Sequence, residues 1–189
     1  MPTLPTPEDL SGLSLADIAR LAAERKLPPV ESWDPGHCGH SGMRIAADGT
    51  WFHEGTPIGR PAMVRLFSTI LRREPNGGFV LVTPVEKLEI EVEDAPFVAV
   101  EMKSDGAGVE RTLAFRLNVG ELIVAGPEQP IRCEAGADGP HPYLRVRAGL
   151  DASIARGIYY ELAEIALAEG AEPPGMWSGG AFFSLEPAG

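Results

Sequence analysis

Between Phe79 and Val146 the chain consists of short apolar or alternating runs, each cut off by Gly, Pro, Asp or Asn, and this punctuation limits it to a fold rich in short strands. A helix needs an apolar repeat sustained over about ten residues, whereas a strand is complete in roughly four to eight. Phe79-Val80-Leu81-Val82 reads as a short apolar strand, and Lys87-Leu88-Glu89-Ile90-Glu91-Val92 alternates strictly, so one of its faces is wet. Asp94-Ala95-Pro96 breaks the pattern and marks the expected domain boundary. Beyond it, strands over 97–102, 111–117, 121–124, 130–133 and 143–146 suggest a meander or a small barrel.

Helices frame these strands. Ser14 with Asp17 three residues on makes a weak capping box, Ile18, Leu21 and Ala22 give the apolar face, and Pro28-Pro29 end the helix. A loop over 30–42 follows, carrying Trp33 and the run His37-Cys38-Gly39-His40. Met43-Arg44-Ile45 and Thr50-Trp51-Phe52 form a hairpin around Asp48-Gly49. Pro61 opens a second helix whose buried stripe is Met63, Leu66, Phe67 and Ile70, ending at Pro75-Asn76-Gly77-Gly78. Asp151 caps a long third helix, with Ile154, Ile158, Leu162 and Ile165 inward and Gly170 as its C-terminal cap; Phe182 and Phe183 lie in a last strand.

The resulting class is α+β. A tail and helix occupy 1–27, a hairpin–helix–strand domain 28–95, and an antiparallel sheet or partial barrel with a long capping helix 96–189. The halves echo one another: a helix is followed by Gly77-Gly78-Phe79 in one and by Gly179-Gly180-Ala181 in the other, which fits either a duplication or a shared supersecondary habit.

The net charge of −11 disfavours a grip on long nucleic acid, which needs a basic surface, but leaves room for a small anion in a local Arg pocket. No run is long enough to insert in a membrane. Met1 to Asp9 lack the basic start and apolar stretch of a signal peptide, and their prolines suggest an extended lead-in; the expected compartment is the cytoplasm. The two cysteines, Cys38 and Cys133, read as free thiols there, with a single bridge between them as the alternative.

His37, Cys38 and His40 have donor atoms suited to zinc, but a stable site needs further ligands, and His53, Cys133 and His141 are far away in sequence; no metal and no cofactor are expected. No nucleophile elbow, phosphate-binding Gly loop or dinucleotide fingerprint occurs. His53 and Glu54 could pair as acid and base, although neighbours on a strand face opposite ways. Arg65, Ser68 and Arg72 share one face if the second helix runs through them, with Arg60 and Arg73 adding charge. Two guanidinium groups with a hydroxyl between them can clamp a carboxylate or phosphate; salt bridges to Glu86 or Glu89, or a solvated face, account for the same spacing.

The wording of the chain also resembles a known family. Asp48-Gly49-Thr50-Trp51, Gly55-Thr56-Pro57-Ile58, Val64-Arg65-Leu66-Phe67-Ser68, Leu71-Arg72-Arg73-Glu74, Leu81-Val82-Thr83-Pro84-Val85-Glu86-Lys87 and Val92-Glu93-Asp94-Ala95-Pro96-Phe97 look like the bacterial DUF1285 family. Tyr143-Leu144-Arg145-Val146-Arg147, Arg156-Gly157-Ile158-Tyr159-Tyr160-Glu161-Leu162 and Trp177-Ser178-Gly179-Gly180 fit it as well. The resemblance implies duplicated α+β domains, the second similar to pleckstrin-homology-like domains. It also implies a nucleotide-like ligand at their interface and a signalling role, with no known activity. Carried onto this chain, the implied site draws on Trp51, Thr56, Arg65, Ser68, Arg72, Thr83 and Lys87.

Three functions follow as expectations. The first is a binding protein for a small anionic ligand, with Arg65 and Arg72 on the charge and Trp51 against the flat part. The second is an enzyme using His53, Glu54 or Cys38 in the same cleft. The third is a protein-interaction module that offers a strand edge or an apolar groove.

Overall fold

The computed structural model describes residues 12–188; the proline-rich lead-in lies outside the described residues. Helix α1 (Leu15–Glu24) is capped as its sequence implies: Ser14 Oγ accepts from Asp17 N at 3.1 Å, and the Asp17 carboxylate accepts from Ser14 N. The Ser14 hydroxyl, donating to Asp17 Oδ2 at 2.6 Å, and then Ser14 N hold the Asp17 carboxyl below its ordinary pKa. A 3-10 turn at Val30–Ser32 leads to β1 (His37–Ile45), β2 (Trp51–His53) and β3 (Thr56–Pro57). Then come α2 (Pro61–Ser68), β4 (Leu71–Arg73), β5 (Phe79–Val82) and β6 (Glu86–Val92).

The second half begins with β7 (Phe97–Asp105), β8 (Thr112–Leu117) and β9 (Leu122–Val124), a 3-10 turn at Gly108–Glu110 lying between the first two. It continues with β10 (Ile131–Gly136), β11 (Gly139–Arg147), β12 (Leu150–Ile154) and α3 (Arg156–Glu169), and closes with the hairpin β13 (Gly175–Ser178)–β14 (Ala181–Ser184).

Two six-stranded sheets result, and they share one topology. The first runs β3-β2-β1-β6-β5-β4 and the second β10-β11-β12-β7-β8-β9. Each is a pair of three-strand meanders joined where the last strand lies parallel to the first, β6 beside β1 and β12 beside β7. All other pairings within the two sheets are antiparallel. The echo between the halves is therefore real in strand order, but not where the glycine pairs pointed. Gly77-Gly78 lead into a sheet strand, whereas Gly179-Gly180 form the turn of the separate β13–β14 hairpin.

Three local expectations are corrected. Residues 37–40 are not a loop: they begin β1 and pair with β6 through backbone groups, which needs no apolar alternation. Helix α2 stops at Ser68, because Leu71-Arg72-Arg73 are drawn into a ladder with β5; of the expected stripe Phe67 and Ile70 pack on the core, but Met63 and Leu66 are exposed and Val64 joins the core side. Asp151 caps nothing: it sits inside β12, between β11 and β7, and Arg145 and Arg132 pair with its carboxylate.

One apolar core runs through both halves, from Ile45, Trp51, Leu71 and Leu81 to Phe97, Phe115, Leu144, Ile158 and Phe183. The halves are also stitched by polar contacts. The Asp48-Gly49 turn presses on the second sheet: Asn118 Nδ2 donates to Gly49 O at 3.2 Å, and Val98 N donates to Asn118 Oδ1 at 3.0 Å. Arg147 donates to Ser68 O at 2.7 Å, where α2 ends. Helix α1 packs on the second sheet, with Ile18 against Ala114 and Leu122 beside β9. That helix lines β9, β14 lies beside β10, and the edge strands of the first sheet are only two and three residues long, so little free edge is left for strand addition.

Candidate functional site

A crevice of about 630 Å³ opens where the two halves meet. Glu31, Trp33 and Asp34 come from the segment before β1, Arg72 and Arg73 from β4, Glu74 and Pro75 from the turn after it, and Ala148 and Gly149 from the β11–β12 turn. Its size falls within the range of small-molecule sites.

Arg72 forms its inner wall. It is 8 % exposed and tied at both terminal nitrogens: Nη1 donates to Val30 O at 2.8 Å and Trp33 O at 2.7 Å, and Nη2 donates to Glu74 Oε1 at 3.0 Å. Glu74 also pairs with Lys87 Nζ at 3.0 Å. Burial pushes the Glu74 carboxyl up, but hydrogen bonds from Arg72 and Lys87 and their charges outweigh it, so its pKa is lowered. The same bond to Glu74 raises Lys87.

Arg73 is placed differently. Its guanidinium lies over the Phe79 ring at 5.4 Å and reaches Gly149 O at 3.5 Å, and it has no carboxylate partner among the described residues. Gly149 permits this crossing: with φ of +74° it has no Cβ, and one placed there would stand 3.2 Å from Arg73 Cβ. Glu31 and Asp34 likewise have no ion-pair partner among the described residues. The crevice thus offers a guanidinium without a carboxylate partner, two carboxylates without an ion-pair partner among the described residues, and the half-buried indole of Trp33.

The structure scatters the residues expected to form the site. Arg65 and Arg72 do not share a helical face: Arg65 is exposed on α2, and Arg72 belongs to β4 and is tied to an acid. The clamp built on that pair is therefore corrected. Ser68 is buried and its hydroxyl bonds back to Arg65 O at 2.7 Å. Trp51 is a core residue, 2 % exposed and stacked on Phe67, with its Nε1 unpartnered, so it walls no cleft. Thr83 shapes the β5–β6 turn, accepting from Val85 N and Glu86 N. Thr56 is exposed on edge strand β3. Only Arg72 lines the crevice, with Lys87 joined to it through Glu74.

The other chemical groups stand apart. His37, Cys38 and His40 are exposed along β1, and among the described residues no group of three or more His, Cys, Asp or Glu is placed to hold a metal ion. A second, smaller hollow of about 360 Å³ is lined by His40, Gly42, Arg44, Glu54 and Glu91 where β1 bulges. There His40 Nδ1 accepts from Gly42 N at 2.9 Å. His53 ends β2 and is exposed; Glu54 occupies the turn at a φ of +47°, so neither reaches the interdomain crevice. Cys133 is buried, and burial raises its thiol pKa.

Two family models match the chain: the DUF1285 N-terminal domain over residues 28–95 and the DUF1285 C-terminal domain over 96–185, both described as of unknown function. A crystal structure of a DUF1285 family protein from Silicibacter pomeroyi DSS-3 is 47 % identical, with a TM-score of 0.79, covering 90 % of this chain and 95 % of that one. Another, from Shewanella baltica OS155, is 26 % identical with a TM-score of 0.51, covering 65 % of this chain and 91 % of that one. No curated protein is significantly similar.

Proposed function

The chain belongs to the DUF1285 family, and from that premise we propose that it binds a small nucleotide-like ligand in the crevice between its two sheets, in a sensing or signalling role. The observation that carries this reading is Arg73: a guanidinium at an interdomain crevice, free of any carboxylate partner among the described residues. A free guanidinium beside a flat aromatic wall suits an anionic group attached to a ring.

The acids refine the ligand's chemistry. Glu31 and Asp34 accept hydrogen bonds, so they favour a ring bearing N–H donors, and they oppose a high negative charge. One phosphate on a purine-like ring fits this balance better than a triphosphate. Arg73 meets the phosphate, Trp33 lies against the ring, and Glu31 or Asp34 takes its donors.

Calorimetry and thermal shift with nucleoside mono-, di- and triphosphates test this. Monophosphates should bind best, and Arg73→Ala should weaken them at least about tenfold, the scale of one charge-assisted hydrogen bond. Arg65→Ala should leave affinity unchanged. Absence of binding across the panel, or equal affinity in Arg73→Ala, would sink the proposal.

A further inference from the structure

We infer that Arg72 is a positioning residue, the latch that holds residues 28–35 as a strap over one side of the crevice. The inference deepens the reading above and rests on the crevice being the ligand site. The strap joins α1, seated on the second sheet, to β1 in the first, so it crosses the boundary between the halves. It carries Glu31, Trp33 and Asp34 into the crevice lining.

Its backbone is tied mostly to itself. Val30 N donates to Pro28 O at 2.8 Å, Ser32 N to Pro29 O at 3.0 Å, and Trp33 N to Val30 O at 3.3 Å. Ser32 Oγ also donates to Pro29 O, at 2.7 Å. Pro28, Pro29 and Pro35 have no N–H, so the segment is poorly equipped to zip along β4 as a further strand. Among the described residues, the hydrogen bonds that reach it from the rest of the protein are the two from Arg72 to Val30 O and Trp33 O. Those carbonyls flank Glu31 on either side, and Asp34 follows directly after the second.

Glu74 sets the latch. It holds Nη2 of Arg72 while Lys87 holds Glu74, so the guanidinium is kept in one orientation with Nη1 turned to the strap. With both terminal nitrogens engaged in this way, Arg72 acts through Trp33 rather than on a ligand directly. Removing it frees the strap as a unit and leaves the β4–β5–β6 ladder in place, since that ladder is made of backbone bonds.

Hydrogen exchange followed by mass spectrometry on the full chain, without ligand, tests this. In Arg72→Ala, peptides spanning 28–36 should exchange at least tenfold faster, while peptides from β5 and β6 keep their wild-type rates. Arg72→Lys, which keeps the charge but presents its three donors from one nitrogen rather than from a planar fork, should fall between. Arg73→Ala should leave the strap unchanged. Unchanged strap exchange in Arg72→Ala, or an equal rise in β5 and β6, overturns the inference; if Arg72→Ala does not fold, the same comparison in Arg72→Lys decides. Because no ligand enters this measurement, the strap can fail while the binding reading stands, and the reverse.

Discussion

Arg147 grips Glu121 through both carboxylate oxygens, at 2.9 and 2.8 Å, and the same guanidinium reaches across to Ser68 O of the other half. The Glu121 side chain is only 6 % exposed, so its carboxylate leans on protein partners rather than on water. Breaking a buried pair from one side leaves an uncompensated charge, at a cost of about 3–5 kcal/mol. Arg25, at 3.4 Å from Glu121, softens the loss. Arg147→Met should therefore destabilise the protein by about 3 kcal/mol in urea unfolding, the lower end of that range. The double variant with Glu121→Gln should lose less than the two single losses added together.

Glu74 should make the strap sensitive to acid. Its folded pKa is depressed below the ordinary 4.5, so the stability it contributes is complete above that value and is lost as pH falls through the lower folded value. Exchange of residues 28–36 should rise on acidification below about pH 4.5, after correction for intrinsic rates, and this rise should be absent in Glu74→Gln. A wild-type strap whose corrected exchange does not rise with acid anywhere in the range where the protein stays folded would contradict the role given to Glu74.

The Asp48-Gly49 turn should tolerate no side chain at its glycine. Gly49 has a φ of +90°, and a Cβ there would stand 2.6 Å from Asn118 Nδ2 and 3.0 Å from Val98 Cγ2. Left-handed backbone at a residue with a Cβ costs about 1–2 kcal/mol before any clash is counted. Gly49→Ala should exceed that loss in thermal or urea melts, because the turn must also back away from the second sheet.

The two thiols should differ sharply. Cys38 is exposed, whereas Cys133 is buried in β10 with its pKa raised by burial. An aromatic disulfide reagent should titrate one thiol promptly in the native protein and the second only on unfolding. Cys38→Ser should abolish the prompt phase.

What could be read from the residues was the local chemistry. The Ser14–Asp17 cap, the Asp48-Gly49 hairpin, the alternating β6 strand and the left-handed cap at Gly170 follow from signals within a few residues of each other. What could not be read was set by partners far away in sequence. Arg72 looked helical because it lies seven residues after Arg65, but pairing with Val80 made it a strand residue, and Val30 and Trp33 supplied carbonyls for its burial. Asp151 looked like a helix cap because nothing nearby reveals that β11 and β7 flank it. A ligand site between the halves was expected from the resemblance, but its lining was not legible: Trp33, Arg73 and Gly149 are brought together only by the tertiary fold.

Helix α1 packs against β9, about a hundred residues downstream, rather than on the sheet that follows it. During translation its apolar side, Ile18 with Leu21 and Ala22, must stay uncovered while the whole first sheet emerges and folds, until Leu122 leaves the ribosome. The nascent chain thus carries a greasy helix without a berth through much of its synthesis, and that interval is when chaperones or aggregation would compete for it.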